Sequence, residues 1–325
     1  MKLVTVNVSY PDYGIEEDFA RSWGVEWRHA ECSDDRAIQV AAAGAEVLIV
    51  ALQPVTERLL AGLPQCRVVG RLGVGLDTID VSAATRRGVA VINVPDYCTE
   101  EVATHALSLL LALARKVRQA DDLVRQGDWA DWGRLEPIRP LSALTLGIVG
   151  FGRIGQQVAR SLKPLVRAVV ATDPGQTVSP DPDVSLVSFS ELLDKADLIT
   201  LHAALTSETH HLFNEATFQQ IRPGAILVNV SRGGLLDEGA AVDALKTGRL
   251  GGLGVDVLNK EPPEGGHPFL DLPNVLVTNH IAWYSDASIV RQRMLLLTRI
   301  RDYIEHRAVP SLVNPEVLGM GHWAG

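Results

Sequence analysis

Arg232, Glu261 and His280 are three side-chain types that together can bind a small anion and move a proton, and each follows a short apolar run. Arg232 comes after Ala225-Ile226-Leu227-Val228-Asn229-Val230-Ser231, Glu261 after Val255-Asp256-Val257-Leu258-Asn259-Lys260, and His280 after Val275-Leu276-Val277-Thr278-Asn279. A guanidinium offers a carboxylate a planar two-pronged fork. An imidazole gives and takes a proton near neutral pH, and a neighbouring carboxylate favours its charged form. The set suits hydride transfer between a 2-hydroxy acid and its keto acid. Arg232 grips the carboxylate and polarises the keto group, and His280 protonates the keto oxygen with Glu261 behind it. In the oxidative direction His280 becomes the base.

Such chemistry needs a hydride carrier, and the chain has a signature for one. The run Leu144-Thr145-Leu146-Gly147-Ile148-Val149 ends in Gly150-x-Gly152-x-x-Gly155. A helix-compatible stretch, Gln156 to Leu162, follows, and a second apolar run, Val166 to Thr172, delivers Asp173. In this strand-turn-helix-strand context Gly150 allows the tight turn, Gly152 lets the backbone approach a pyrophosphate, and Gly155 lets helix and strand pack closely. The pyrophosphate then meets the free N–H groups and positive dipole end of the helix. Asp173 accepts from both adenosine ribose hydroxyls and repels a 2′-phosphate. No Arg or Lys follows in Pro174-Gly175-Gln176, so NAD is expected over NADP.

These residues must be held by alternating strands and helices, and the chain alternates from end to end. Apolar runs at Leu3–Val8, Val47–Ala51, Arg67–Leu72 and Val89–Val94 read as strands of a first α/β unit without the glycine motif. The later strands read as Leu198–His202, Ala225–Val230, Gly252–Val257 and Val275–Thr278. Thr99-Glu100-Glu101 reads as a helix start with Thr99 as N-cap, opening a long apolar helix that runs to Leu113. An irregular segment, Gln126 to Pro140, carries Trp129 and Trp132, and the last helix spans roughly Ser285 to His306. The expected fold is α/β, with two Rossmann-like, doubly wound parallel-sheet domains.

Composition narrows the classes. The 325 residues are long enough for two cores, and 46% hydrophobic with 21% charged residues describes a globular chain. The net charge of −9 and the lack of a Lys/Arg cluster speak against nucleic acid as a partner. Cys32, Cys66 and Cys98 are odd in number and widely spaced, so neither disulfides nor a zinc site is expected, and a reducing cytoplasm is the default. The stretch Ala106 to Ala114 is about half of what crosses a bilayer, so no membrane span is expected. The nine histidines show no metal-binding spacing. His210 and His211 are adjacent and would point in different directions on a helix.

The chain resembles the NAD-dependent D-isomer-specific 2-hydroxyacid dehydrogenase family over nearly its whole length. The matching stretches are Gly70-Arg71-Leu72-Gly73-Val74-Gly75-Leu76-Asp77-Thr78-Ile79-Asp80, the glycine motif, Asn229-Val230-Ser231-Arg232-Gly233-Gly234-Leu235-Leu236-Asp237, Gly254-Val255-Asp256-Val257 with Glu261-Pro262-Pro263, and Asn279-His280-Ile281-Ala282-Trp283. The resemblance places the catalytic triad on Arg232, Glu261 and His280. It implies that the Val74 and Gly75 N–H groups bind the substrate carboxylate and that Asp256 holds the nicotinamide carboxamide. It further implies that Arg153, Ile154, Ala203, Thr209, Val230 and Ser231 line the cofactor site.

Two branches of that family compete. Gly70-Arg71-Leu72-Gly73 is similar to phosphoglycerate dehydrogenases, where Arg71 would meet a second anionic group. Ala282-Trp283-Tyr284-Ser285, His210-His211-Leu212 and Val313-Asn314-Pro315 are similar to the C-terminal binding protein branch, where Trp283 would line the substrate pocket. An NAD-sensing, corepressor-like binding protein is therefore a second alternative. No regulatory domain is expected after residue 325. The resemblance implies a discontinuous, flavodoxin-like substrate domain, 1–98 plus 289–325, an NAD domain, 99–288, whose closure on it excludes water, and a homodimer using the region Trp129 to Pro140. Two departures are Ala203-Ala204 in place of Cys-Pro, and Asn279 in place of the usual Pro before the histidine.

Overall fold

The computed structural model describes residues 1–263 and 265–320. The chain forms two compact units, residues 1–98 together with the chain from Ser285 onward, and residues 99–284.

The first unit is built on five parallel strands, β1 (Lys2–Val6), β2 (Glu26–Ala30), β3 (Val47–Val50), β4 (Val68–Arg71) and β5 (Ala90–Ile92), in the order β2-β1-β3-β4-β5. Alternate residues serve two buried faces, so the central strands read as unbroken apolar runs. Val4, Val6, Leu48, Val50, Val69 and Val91 form one core with Ile38 and Leu59. On β4, Gly70 leaves room for the last helix, Asp286–Ile304; a Cβ there would stand 2.7 Å from Ile300 Cδ1. The chain beyond that helix rejoins the sheet beside β5, where Leu312 bridges Ile92 and the Asn314 side chain accepts the Val91 N–H at 2.8 Å. A buried ion pair between Arg293 and Glu16 binds the last helix to the helix Gly14–Trp23, with the guanidinium 4.3 Å above the Tyr10 ring.

The second unit has seven parallel strands: β6 (Thr145–Val149), β7 (Ala168–Thr172), β8 (Val184–Leu186), β9 (Leu198–Leu201), β10 (Ala225–Asn229), β11 (Leu250–Val255) and β12 (Val275–Val277). Their order, β12-β11-β10-β9-β6-β7-β8, reverses direction between β6 and β9. A crevice opens at such a switch point beyond the carboxyl ends of the strands. The long apolar helix Thr99–Ala114 packs on β10 and β11 over Gly252 and Gly254, where added Cβ atoms would stand 3.3 Å from Leu113 Cδ2 and 3.1 Å from Leu109 Cβ. Thr99 is its first helical residue rather than its N-cap. This unit runs to Tyr284, and Ser285 and Ser288 exchange side-chain hydrogen bonds at 2.9 and 2.7 Å that fix the start of the last helix.

Candidate active site

The glycine turn has the shape its spacing predicts. Gly150 lies at φ +90°, and a Cβ there would stand 2.6 Å from the Ala203 N, so this turn is pressed against the end of β9. Gly152 caps the helix Arg153–Leu162, and a Cβ on it would meet nothing within 4 Å. A Cβ on Gly155 would land on the Gly150 carbonyl oxygen. Bend, open approach and close packing thus fall on the first, second and third glycines. The first-turn N–H groups, including those of Arg153, Ile154 and Gly155, have no partner within a helix and face outward from its N-terminus. Asp173 follows β7, and its carboxylate accepts the N–H of Phe151 at 2.8 Å and of Gly175 at 2.9 Å. These features fit a dinucleotide: an anion cradle, an open backbone approach and a carboxylate at the end of the next strand.

The other predicted cofactor residues lie at the same edge of this sheet. Ala203 follows β9, and Val230 and Ser231 follow β10. The Ser231 hydroxyl donates to the Leu201 carbonyl at 2.8 Å, tying the two strand ends together. Thr209 donates to the Ala204 carbonyl at 2.7 Å and so holds the loop after β9. His202 follows that strand with Nε2 3.0 Å from the Thr200 hydroxyl and Nδ1 buried, and burial pushes its imidazole down to about 3.

Arg232, Glu261 and His280 follow β10, β11 and β12 of this sheet. His280 Nδ1 stands 2.6 Å from Glu261 Oε2, and Glu261 Oε1 accepts the Leu258 N–H at 2.8 Å. Burial raises the Glu261 carboxyl, but the His280 hydrogen bond, the Leu258 N–H and the charges of His280 and Arg232 leave it below its ordinary value. Arg232 is therefore near enough for its charge to be felt at Glu261. Its Nη1 also donates to the Ser231 carbonyl at 2.8 Å.

His280 has φ +56°, a left-handed conformation that a non-glycine residue holds only when its surroundings impose it. Asp256 supplies that constraint. Its carbonyl accepts the His280 N–H at 2.8 Å, its Oδ1 accepts the Ile281 N–H at 2.9 Å, and its Oδ2 accepts the Ala282 N–H at 2.9 Å. Trp283 completes the turn by donating from Nε1 to the His280 carbonyl at 2.9 Å. Nothing in the sequence spacing pointed to Asp256 as an anchor of the histidine turn. The signal that could have been read is a carboxylate inside a buried strand end, which must find several donors.

Arg71, Val74 and Gly75 belong to the first unit. Arg71 is buried, and its Nη1 donates to the Leu72 carbonyl. A Cβ on Gly73 would collide with that guanidinium, so Arg71 lies against the Gly73-Val74-Gly75 turn. Asn93 holds the same turn by donating to the Val74 carbonyl at 2.8 Å. His210 and His211 correct a sequence expectation: they lie in a turn, not a helix. His211 at φ +51° brings the two rings into a stack with centroids 3.9 Å apart. Among the described residues, no group of three His, Cys, Asp or Glu could hold a metal ion, and no helix is long and apolar enough to cross a membrane.

Residues 107–282 match the D-isomer specific 2-hydroxyacid dehydrogenase, NAD binding domain. A D-3-phosphoglycerate dehydrogenase of Archaeoglobus fulgidus is 37% identical over 272 residues, which cover 83% of this chain and 51% of that one. The chain thus spans about half the length of that relative. A glycerate dehydrogenase of Methylorubrum extorquens is 34% identical over 268 residues, covering 81% of this chain and 82% of the relative. The crystal structure of D-lactate dehydrogenase from Aquifex aeolicus, complexed with NAD and lactic acid, is similar with a TM-score of 0.85 at 26% identity, covering 99% of both chains.

Proposed function

The chain belongs to the D-isomer specific 2-hydroxyacid dehydrogenase family, and we propose on that premise that it interconverts a small D-2-hydroxy acid and its 2-keto acid with NAD. The observation that carries the residue assignment is the 2.6 Å contact between His280 Nδ1 and Glu261 Oε2 beside the charge of Arg232. Glu261 is an ionised acceptor, so Nδ1 carries a proton and Nε2 is the position that exchanges one with substrate. Arg232 takes the substrate carboxylate in a two-pronged grip and orients the keto group. His280 Nε2 gives its proton to the oxygen as that oxygen becomes a hydroxyl, and it returns as a neutral imidazole hydrogen-bonded to Glu261. In the oxidative direction Nε2 removes the same proton. NAD, when bound, supplies or accepts the hydride. Gly150, Gly152, the helix N-terminus at Arg153 and Asp173 would hold it, and Asp256 Oδ2 has one acceptor direction left for the carboxamide.

In the first unit, the N–H groups of Val74 and Gly75 would bind the substrate carboxylate. Arg71, whose Nη1 donates to the Leu72 carbonyl, lies against the same turn and would meet a second anionic group where the substrate carries one. Trp283 would border the substrate side chain. The test is a panel of glyoxylate, pyruvate, hydroxypyruvate and its 3-phosphate with NADH, followed by loss of the reduced cofactor's absorbance. Oxidation of NADH by an unphosphorylated keto acid, with a D-hydroxy acid product, is the expected result. Silence across the panel overturns the reading, and a preference for the phosphorylated acid returns the assignment to a phosphoglycerate dehydrogenase.

A homodimer and a cytoplasmic location complete the proposal. Trp129 and Trp132 are 83% and 71% exposed, an apolar pair that a second copy would cover. Cys32, Cys66 and Cys98 form no disulfide among the described residues, which suits a reducing compartment. Light scattering on the purified chain would report twice the 35.1 kDa monomer mass, and a monomer would exclude the dimer.

A further inference from the structure

His105 lies within the helix Thr99–Ala114, and its Nε2 is 2.9 Å from the Thr278 hydroxyl oxygen. That hydroxyl donates to Asp256 Oδ1 at 2.6 Å. A hydroxyl has one hydrogen, so its oxygen is the acceptor toward His105, and Nε2 of His105 bears a proton. The resulting chain is directional, from His105 Nε2–H to Thr278 Oγ1–H to Asp256 Oδ1. At its far end the same carboxylate takes the Ile281 and Ala282 N–H groups. Asp256 is almost wholly buried, and His105 Nε2 is 3.6 Å from its Oδ1. The carboxylate is thus fixed from one side by His105 through Thr278 and fixes the turn of His280 on the other.

We propose that His105 is a positioning residue for the reaction: through Thr278 it sets the rotation of the Asp256 carboxylate, and through Asp256 it holds the left-handed turn that keeps His280 against Glu261. This rests on the assignment of His280 as the proton donor and acceptor. Carboxylate rotation matters because Oδ1 and Oδ2 hold successive amides. If Oδ1 loses the Thr278 hydroxyl, the carboxylate can turn toward another donor and release one of them. His280 at φ +56° then relaxes toward a common backbone region and draws its ring from Glu261. His105 touches neither the reacting atoms nor Glu261 in this scheme.

The experiment compares His105→Leu and Thr278→Val, which cut the chain, with His105→Gln and Thr278→Ser, which keep a donor and a hydroxyl. Amide hydrogen exchange is read on the unliganded protein, and turnover on the keto acid it reduces fastest. Cutting variants should speed exchange at residues 281–282 about tenfold or more, with the other strands of the nucleotide unit unchanged. They should lower kcat by about tenfold, since misplacement of a reacting group acts on the chemical step. The conservative variants should recover most of both losses. The His105→Leu/Thr278→Val double variant should lose no more than the worse single one, because both cut one chain. Unchanged exchange at 281–282, equal losses in the Leu and Gln variants, a general rise in exchange, or additive losses would each overturn the proposal. Full turnover in His280→Ala would instead remove the parent assignment, and the exchange measurement would still decide whether His105 holds the turn.

Discussion

The Asp173 carboxylate holds the turn that precedes its own strand: Oδ2 accepts the Phe151 N–H at 2.8 Å, inside the Gly150–Gly152 turn. The group assigned to the adenosine ribose therefore also sets the loop beneath the pyrophosphate. Asp173→Ala should lose a charged hydrogen bond, about 1.5–3 kcal/mol, and raise the NADH Kd by about tenfold or more. It should also narrow the preference for NAD over NADP, because the repulsion of a 2′-phosphate goes with the charge. Fluorescence titration with both reduced cofactors checks this, and an unaltered preference would take Asp173 away from the ribose.

Gly152 and Gly155 separate binding from folding. A methyl on Gly152 enters open space, so Gly152→Ala should keep the Tm within about 2 °C while weakening NADH by obstructing the backbone approach. A methyl on Gly155 meets the main-chain oxygen of Gly150, which cannot swing aside. Gly155→Ala should cost about 1–3 kcal/mol and lower the Tm by several degrees. Calorimetry of the two variants beside NADH titration tests the division. Equal Tm losses would mean that the second glycine is structural as well.

His280→Ala should lower turnover by about a hundredfold or more, the scale of general acid–base effects, with NADH affinity within about threefold of the natural chain. A single-turnover experiment separates the two quantities. Activity that survives the substitution would remove His280 from proton transfer.

Glu261 gives the acid side of the profile its sign. Its carboxyl is raised by burial yet held below the ordinary 4.5 by His280, the Leu258 N–H and Arg232. A carboxyl lowered in the folded state stabilises the fold above 4.5, and that stabilisation is lost as pH falls through the lowered value. Glu261→Gln should therefore be less stable than the natural chain at pH 7 and approach it at pH 3. It should also turn over about tenfold to a hundredfold more slowly at pH 7. Urea unfolding at the two pH values measures the first effect. A stability gap that stays constant between them would contradict the linkage.

What the sequence showed and what it hid follow from burial. The central strands, such as β3 and β9, are buried on both faces and appear as apolar runs. The edge strands β2 and β8 have exposed or half-buried positions, with Glu26-Trp27-Arg28-His29-Ala30 in the first, and no such run marks them. Gly150, Gly155 and Asp173 were legible because each type answers a backbone or charge requirement at a fixed spacing. The chain from His105 through Thr278 to Asp256 was not, since 173 residues separate the first pair and only the packing of the helix on the sheet joins them. The histidine turn was hidden for a related reason: a left-handed φ at a non-glycine residue is imposed by partners, not by its own side chain.

His202 gives the molecule a further acid sensitivity. Burial at the end of β9 pushes its imidazole from 6.5 down to about 3, so the folded chain keeps it neutral where the unfolded chain protonates it. A depressed folded value means that the associated stability is present above 6.5 and is lost progressively as pH falls toward about 3. The slope is at most about 1.4 kcal/mol per pH unit for one proton. His202→Asn removes the titration while leaving a polar group near the Thr200 hydroxyl. Between pH 7 and pH 5, where most carboxylates remain ionised, the natural chain should lose more stability than this variant. Parallel denaturation curves at those two pH values carry the test, and equal losses would show that His202 is solvated and charged in the folded chain.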